Sequence, residues 1–242
     1  MTESAALLEV QGVSKRFGGI QAVRDVSFEV TRGETVGVIG PNGAGKSTLL
    51  ELVSGAQKPD TGSIRFDGRR IDGQPMHRVS RTGVVRTFQK LRPFLGMTAL
   101  ENVMVSALVR HHAVDDARER ALECLDFVGL DAKVDAVAGT LSTGQRKRLE
   151  LARAIASDPQ LYLLDEVTAG IDHRSLGELV ALIARLRDEG ATILLIEHNL
   201  PVLNRLCDRL IAMNLGEKIA EGAPAFVLDN PAVVEAYVGS DE

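Results

Sequence analysis

The sequence predicts an α/β fold with a largely parallel sheet, an antiparallel β layer near its N-terminus and an inserted helical subdomain. Three observations predict it. Short apolar strand patterns alternate with helix-period segments in the later half. The opening segment instead carries strand patterns with no helix between them, and a long helical stretch interrupts the strands of the main sheet.

Taken in order, residues 8–10, 26–30 and 35–39 read as strands, and 64–66 add another, which together suggest the antiparallel layer. From 97 to 130 the pattern is helical, with Leu100, Val103, Met104 and Ala107 at i, i+3, i+4 and i+7. Residues 145–157 form a further helix, apolar on one side. Residues 161–164 read as a short buried strand. Leu176, Leu179, Val180 and Ile183 mark an amphipathic helix ending near Gly190, and 192–196 is an all-apolar strand. The segment from about 92 to 157 therefore reads as a helical subdomain within one domain spanning 1–242, whose core and β layer come from about 1–91 and 158–242.

Composition narrows the class. With 242 residues, 45% hydrophobic and 25% charged, the chain is globular rather than disordered, fibrous or disulfide-stapled. Lys plus Arg number 28 and Asp plus Glu 33, a net charge of −5 that disfavours general nucleic-acid binding. No apolar run approaches the ~18 residues of a spanning helix. The start MTESAALLEV has neither a basic nor an apolar signal region, so no signal peptide is expected. Cys124 and Cys207 are too few for a disulfide framework or metal site, and a cytoplasmic location is the expectation. Residues 65–92 hold eight basic side chains, Arg65, Arg69, Arg70, Arg78, Arg81, Arg86, Lys90 and Arg92, against Asp67 and Asp72. That stretch reads as a solvated charged face or as a surface toward anionic lipid headgroups.

The chemistry-bearing motif follows the strand at 36–39. Gly40-Pro41-Asn42-Gly43-Ala44-Gly45-Lys46-Ser47-Thr48 fits G-x-x-x-x-G-K-[ST] between a strand and a helix. Its glycines let successive N–H groups face one anion, and the following helix aims its positive end there. Lys46 can reach β- and γ-phosphates, and the Ser47 hydroxyl can ligate Mg²⁺. Asp165 and Glu166 end the apolar strand at 161–164, where an Asp can hold the metal and the next carboxylate can polarise water.

The remaining motifs carry a family resemblance. Leu141-Ser142-Thr143-Gly144-Gln145, with basic residues after it and Asp165 downstream, resembles the signature of ATP-binding cassette (ABC) ATPases. Gln89 sits at the family's Q-loop position, Ala169-Gly170-Ile171-Asp172 matches its D-loop, His198 its switch histidine, and Phe17 its adenine-stacking aromatic. The resemblance implies a P-loop NTPase (RecA-like) core that binds ATP, with Mg²⁺ held by Ser47, Gln89 and Asp165. It implies Glu166 as general base and His198 at the γ-phosphate. It also implies that Ser142, Gly144 and Gln145 close the P-loop of a second subunit, so a chain with one copy of each motif must pair with itself or a paralogue.

Two departures stand out. Thr143 replaces the signature's usual Gly, and Val167 replaces the Pro that usually follows the catalytic Glu, leaving the Glu166 backbone freer. Gly83-Val84-Val85-Arg86-Thr87-Phe88-Gln89, Met97-Thr98-Ala99-Leu100-Glu101-Asn102 and the tail from Asn230 to Gly239 resemble bacterial branched-chain amino-acid uptake ATPases; urea and amide importers share these phrases and lipopolysaccharide exporters share some. The implied partners are permease subunits and, indirectly, a solute-binding protein, with the chain peripheral on the cytoplasmic face of the membrane. Soluble ABC ATPases that clamp DNA carry long coiled coils between P-loop and signature, and no sustained heptads occur here.

Overall fold

A computed structural model describes residues 6–87 and 93–238, so Gln89, Lys90 and Arg92 lie outside the described residues. Strands β1 (Ala6–Phe17) and β2 (Ile20–Thr31) form a hairpin, its two-residue turn set by Gly18-Gly19. Strand β4 (Thr61–Phe66) pairs antiparallel with β1, and β5 (Arg69–Arg70) pairs with β4 across Asp67-Gly68, both at positive φ. This four-stranded sheet, ordered β2-β1-β4-β5, is the N-terminal layer.

The second sheet contains β3 (Thr35–Ile39), β6 (Val84–Arg86), β7 (Leu161–Asp165), β8 (Thr192–Ile196), β9 (Arg209–Asn214) and β10 (Glu217–Gly222). Its order is β10-β9-β3-β8-β7-β6, parallel throughout except for β10. The sequence reading placed 35–39 in the antiparallel layer. The strand instead lies centrally in this parallel sheet because all five of its residues are buried.

The strand pleat separates two cores. From β7 and β8, Leu161, Leu163, Leu194 and Ile196 face the antiparallel layer and α1 (Lys46–Val53). Tyr162, Leu164, Ile193 and Leu195 face the helices on the other side. Those helices are α3 (Ala99–Ala107), α4 (Val114–Phe127), α5 (Thr143–Ile155), α6 (His173–Asp188) and α7 (Leu200–Leu206). A short α2 (Met76–Thr82) precedes β6, and α8 (Pro224–Leu228) and α9 (Pro231–Val238) end the described chain.

The helical stretch expected from 97 to 130 is two helices. After Ala107 the chain turns back, and Ala117 and Ala121 of α4 join Val103 and Ala107 in one buried cluster. Alanine at these positions lets the helices approach closely, which a single uninterrupted helix could not achieve. Helices α3 to α5 lie between β6 and β7, which are neighbours in the sheet.

Candidate functional site

Strand order gathers what the sequence scatters. Because β3, β8 and β7 are adjacent and parallel, their C-terminal ends form one edge, where ligands of open α/β sheets bind. The glycine-rich loop follows β3, Asp165 and Glu166 end β7, and Glu197-His198 follow β8.

The loop is shaped for an anion. Gly40, Gly43 and Gly45 all have positive φ, and a Cβ on Gly40 would lie 2.1 Å from the Met213 carbonyl oxygen, so no side chain fits there. Among the described residues no side chain caps the first turn of α1, whose N-cap is Gly45, which leaves its N–H groups to another partner. Pro41, Asn42 and Ala44 complete the loop, and Ser47 and Thr48 open the helix behind Lys46. Lys46 Nζ donates to the carbonyl oxygens of Gly40 at 2.6 Å and Pro41 at 2.8 Å. Burial holds this ammonium below its ordinary pKa range, against the pull of Glu166 and Asp165. Phe17, at the tip of the β1–β2 hairpin, is 41% exposed, with Lys15 Nζ 5.4 Å from its ring centre. An exposed ring is available for stacking and contributes little to the core.

The acidic strand end has two unlike oxygens. Asp165 is only 2% exposed, and its Oδ2 accepts a 2.7 Å bond from Arg86 Nη2. Arg86, read with the charged face, is therefore buried against Asp165; Arg65, Arg69, Arg70, Arg78 and Arg81 are exposed. Asp165 Oδ1 is buried with no hydrogen-bond partner among the described residues, as suits an oxygen reserved for a cation or its water. One carboxylate with the exposed Ser47 hydroxyl is too small a set for a protein cage. It suits Mg²⁺, which keeps several waters and takes phosphate oxygens.

Glu166 sits at φ 47°, a left-handed backbone that costs an ordinary residue about 1–2 kcal/mol and concentrates at functional sites. Its N–H donates to Ile196 O at 3.0 Å, and its carbonyl accepts from Ala169 N at 3.1 Å. Glu166 Oε1 lies 3.0 Å from His198 Nε2. The freer backbone expected from Val167 is not what the structure has, because these bonds bracket Glu166 and Val167 packs in the core. Val167→Pro is accordingly expected to turn over ATP at the parent rate or below, with unchanged ATP affinity. Steady-state kinetics checks this, and faster turnover would mean that the carboxylate is loosely held.

Two buried charges near the site were given no role by the sequence reading. Buried Glu197 accepts from Thr168 N at 3.0 Å, Thr168 Oγ1 at 2.7 Å and His198 N at 3.3 Å, tying the end of β8 to the segment after Glu166. A charge directly after an all-apolar strand was its signal. Lys147, on α5, is also buried; burial lowers its pKa while Glu150, Glu197, Glu166 and Asp165 pull it upward. It lay hidden in a run of basic residues.

The signature residues are committed locally. Ser142 Oγ accepts from Gln145 N at 3.2 Å and Gln145 Oε1 accepts from Ser142 N at 3.0 Å, a capping box that starts α5. A Cβ on Gly144 would lie 2.5 Å from Ser175 Oγ, so α5 meets α6 closely there. Asp172 caps α6 through Arg174 N, Ser175 N and Ser175 Oγ, and those bonds hold its carboxyl below the usual range. None of the hydrogen bonds of Ser142, Gln145 or Asp172 reaches the P-loop among the described residues.

A family model described as ABC transporter matches residues 23–169, more than half of the chain. The chain belongs to the ABC transporter family. A second model, described as branched-chain amino acid ATP-binding cassette transporter, matches residues 217–242. The chain is 41% identical to the high-affinity branched-chain amino acid transport ATP-binding protein BraF of Pseudomonas aeruginosa, covering 98% of this chain and 99% of that protein. A crystal structure of the ADP conformation of an ABC transporter cassette superposes with a TM-score of 0.88 at 32% identity, covering 97% and 99% of the two chains. A dimeric bacterial ABC transporter cassette superposes with a TM-score of 0.80 at 28% identity, over 90% and 98%. The chain is thus an ATP-hydrolysing ABC subunit, of a class that pairs cassettes and works with membrane permeases. Among the described residues, no helix is long and apolar enough to cross a membrane.

Proposed function

We propose that this ABC ATPase energises an importer of branched-chain amino acids or related small polar solutes. The observation that carries the reading is the likeness to BraF along nearly the whole chain, joined to the separate match over 217–242. The subunit sits on the cytoplasmic face of the membrane beneath its permeases. Residues 92–157 act as its helical subdomain, supported by α3 to α5 leaving and rejoining the sheet at adjacent strands.

In this reading Phe17 stacks on adenine, and the loop 40–48 cradles the phosphates with Lys46 on the β- and γ-phosphates. Ser47, Asp165 and Gln89 would hold Mg²⁺, which when bound would neutralise charge on the transferred phosphoryl group. Glu166 takes a proton from water as the water oxygen bonds to the γ-phosphorus; the bond to the bridging oxygen breaks, and its electron pair leaves with ADP. His198 holds the γ-phosphate and, 3.0 Å from Glu166, orients the base. Ser142, Gly144 and Gln145 of one cassette close over the nucleotide of the other, with Asp172 beside them.

Reconstitution with membrane permeases and a solute-binding protein of the branched-chain amino-acid class tests the cargo. ATP hydrolysis should rise when the binding protein carries leucine, and a rise with a lipid substrate instead would assign an exporter. The shared site has its own test. The isolated cassette's specific activity should rise with concentration, approaching second-order dependence when dilute. Ser142→Arg should bind ATP as the parent does yet lose this activity; full activity of that variant, flat with dilution, would show that the chain works as a monomer.

A further inference from the structure

The first residue of the P-loop is held from outside the motif. Gly40 lies past the last ladder pairs of β3, which end at Ile39 with Ala212 and at Val38 with Ile196. Its N–H donates at 2.8 Å to the hydroxyl oxygen of Tyr237, which α9 supplies from 197 residues along the chain. Its carbonyl accepts from Lys46 Nζ at 2.6 Å. One residue therefore links the two groups: the N–H of Gly40, in the 39–40 peptide, meets the tyrosine hydroxyl, and its carbonyl, in the 40–41 peptide, meets the lysine ammonium.

Helix α9 is itself well placed to hold that hydroxyl. Val233 is buried, the Asn230 side chain accepts from Ala232 N at 2.9 Å at the start of the helix, and the Tyr237 ring packs against the helical-side core. A cavity of about 490 Å³ lies between Pro41, Asn42 and the helix residues Ala232, Glu235 and Ala236. The helix thus meets the loop at the hydroxyl rather than along its length. Burial raises the Tyr237 pKa and the Gly40 bond opposes this, so the group at neutral pH is a phenol. The two ends of the contact fall in separately matched stretches, 23–169 for the cassette and 217–242 for the C-terminal segment.

We infer that Tyr237 is a positioning residue for nucleotide binding: its hydroxyl fixes the backbone at Gly40 and, through the torsions there, the carbonyl that holds Lys46, so the C-terminal segment tunes the ATP affinity of the P-loop. The inference rests on the P-loop reading of residues 40–48. Without the hydroxyl, the Gly40 N–H loses its acceptor and the 39–40 peptide turns to find another; the resulting change in torsion at Gly40 swings the adjoining 40–41 peptide, whose carbonyl holds Lys46.

Tyr237→Phe keeps the ring and removes the hydroxyl. Its MgATP dissociation constant and KM should rise about tenfold, the scale of stranding one polar group. At saturation kcat should stay within about twofold, since only binding is altered. The thermal midpoint should move by no more than about 4 °C. Amide exchange at Gly40, followed by NMR, should be slow in the parent and faster in the variant. Parent-like affinity in Tyr237→Phe, a fall in kcat with affinity unchanged, or fast Gly40 exchange in the parent would each overturn the inference. The last needs no variant to fold. Lys46→Ala measured in parallel separates the two readings: if it binds MgATP like the parent, the P-loop reading fails. If it loses binding while Tyr237→Phe does not, only the role of Tyr237 falls.

Discussion

Glu166→Gln is expected to bind ATP as the parent does and to hydrolyse it about a thousandfold more slowly, within the range a positioned general base supplies. Glutamine keeps the volume, and its amide can still hydrogen-bond to His198 across the 3.0 Å contact. What it lacks is a group that accepts a proton from water at neutral pH. The left-handed backbone at φ 47° and its two bracketing bonds do not involve the carboxylate, so the loop keeps its shape. Because the γ-phosphate is never released, an ATP-bound dimer should accumulate and appear on size-exclusion chromatography. Hydrolysis at the parent rate would remove Glu166 from the role of base.

Lys46→Ala should act earlier, on binding. The lysine is buried and braces two loop carbonyls as well as standing ready for phosphate. Alanine deletes a charge-assisted phosphate contact and leaves the Gly40 and Pro41 carbonyls without their donor. Two such losses together should raise the MgATP dissociation constant by about a hundredfold. Equilibrium titration with a fluorescent ATP analogue reads this directly. Parent-like binding would remove the loop 40–48 from the role of phosphate cradle.

Much of the site was legible because each motif is a short contiguous run whose chemistry needs one local setting. The loop 40–48 must follow a strand and open a helix, and Asp165-Glu166 must end a buried strand; both settings show in hydropathy alone. The capping box at Ser142 and Gln145 is likewise written in residues three apart. Helix boundaries were less legible: the reversal after Ala107 depends on close alanine packing between two helices, which periodicity along one helix does not contain.

The amino-acid sequence by itself determined the nucleotide-handling chemistry, the family, and the alternation of strands and helices, since these rest on local residue patterns and their order. Tertiary structure alone decided that residues 35–39 leave the antiparallel layer for the centre of the parallel sheet. It also decided that Arg86 is buried on Asp165, 79 residues away, and that Tyr237 reaches Gly40 across 197. Pairings at such separations depend on strand order and helix docking, where buried surface and polar satisfaction across the whole chain choose the partner.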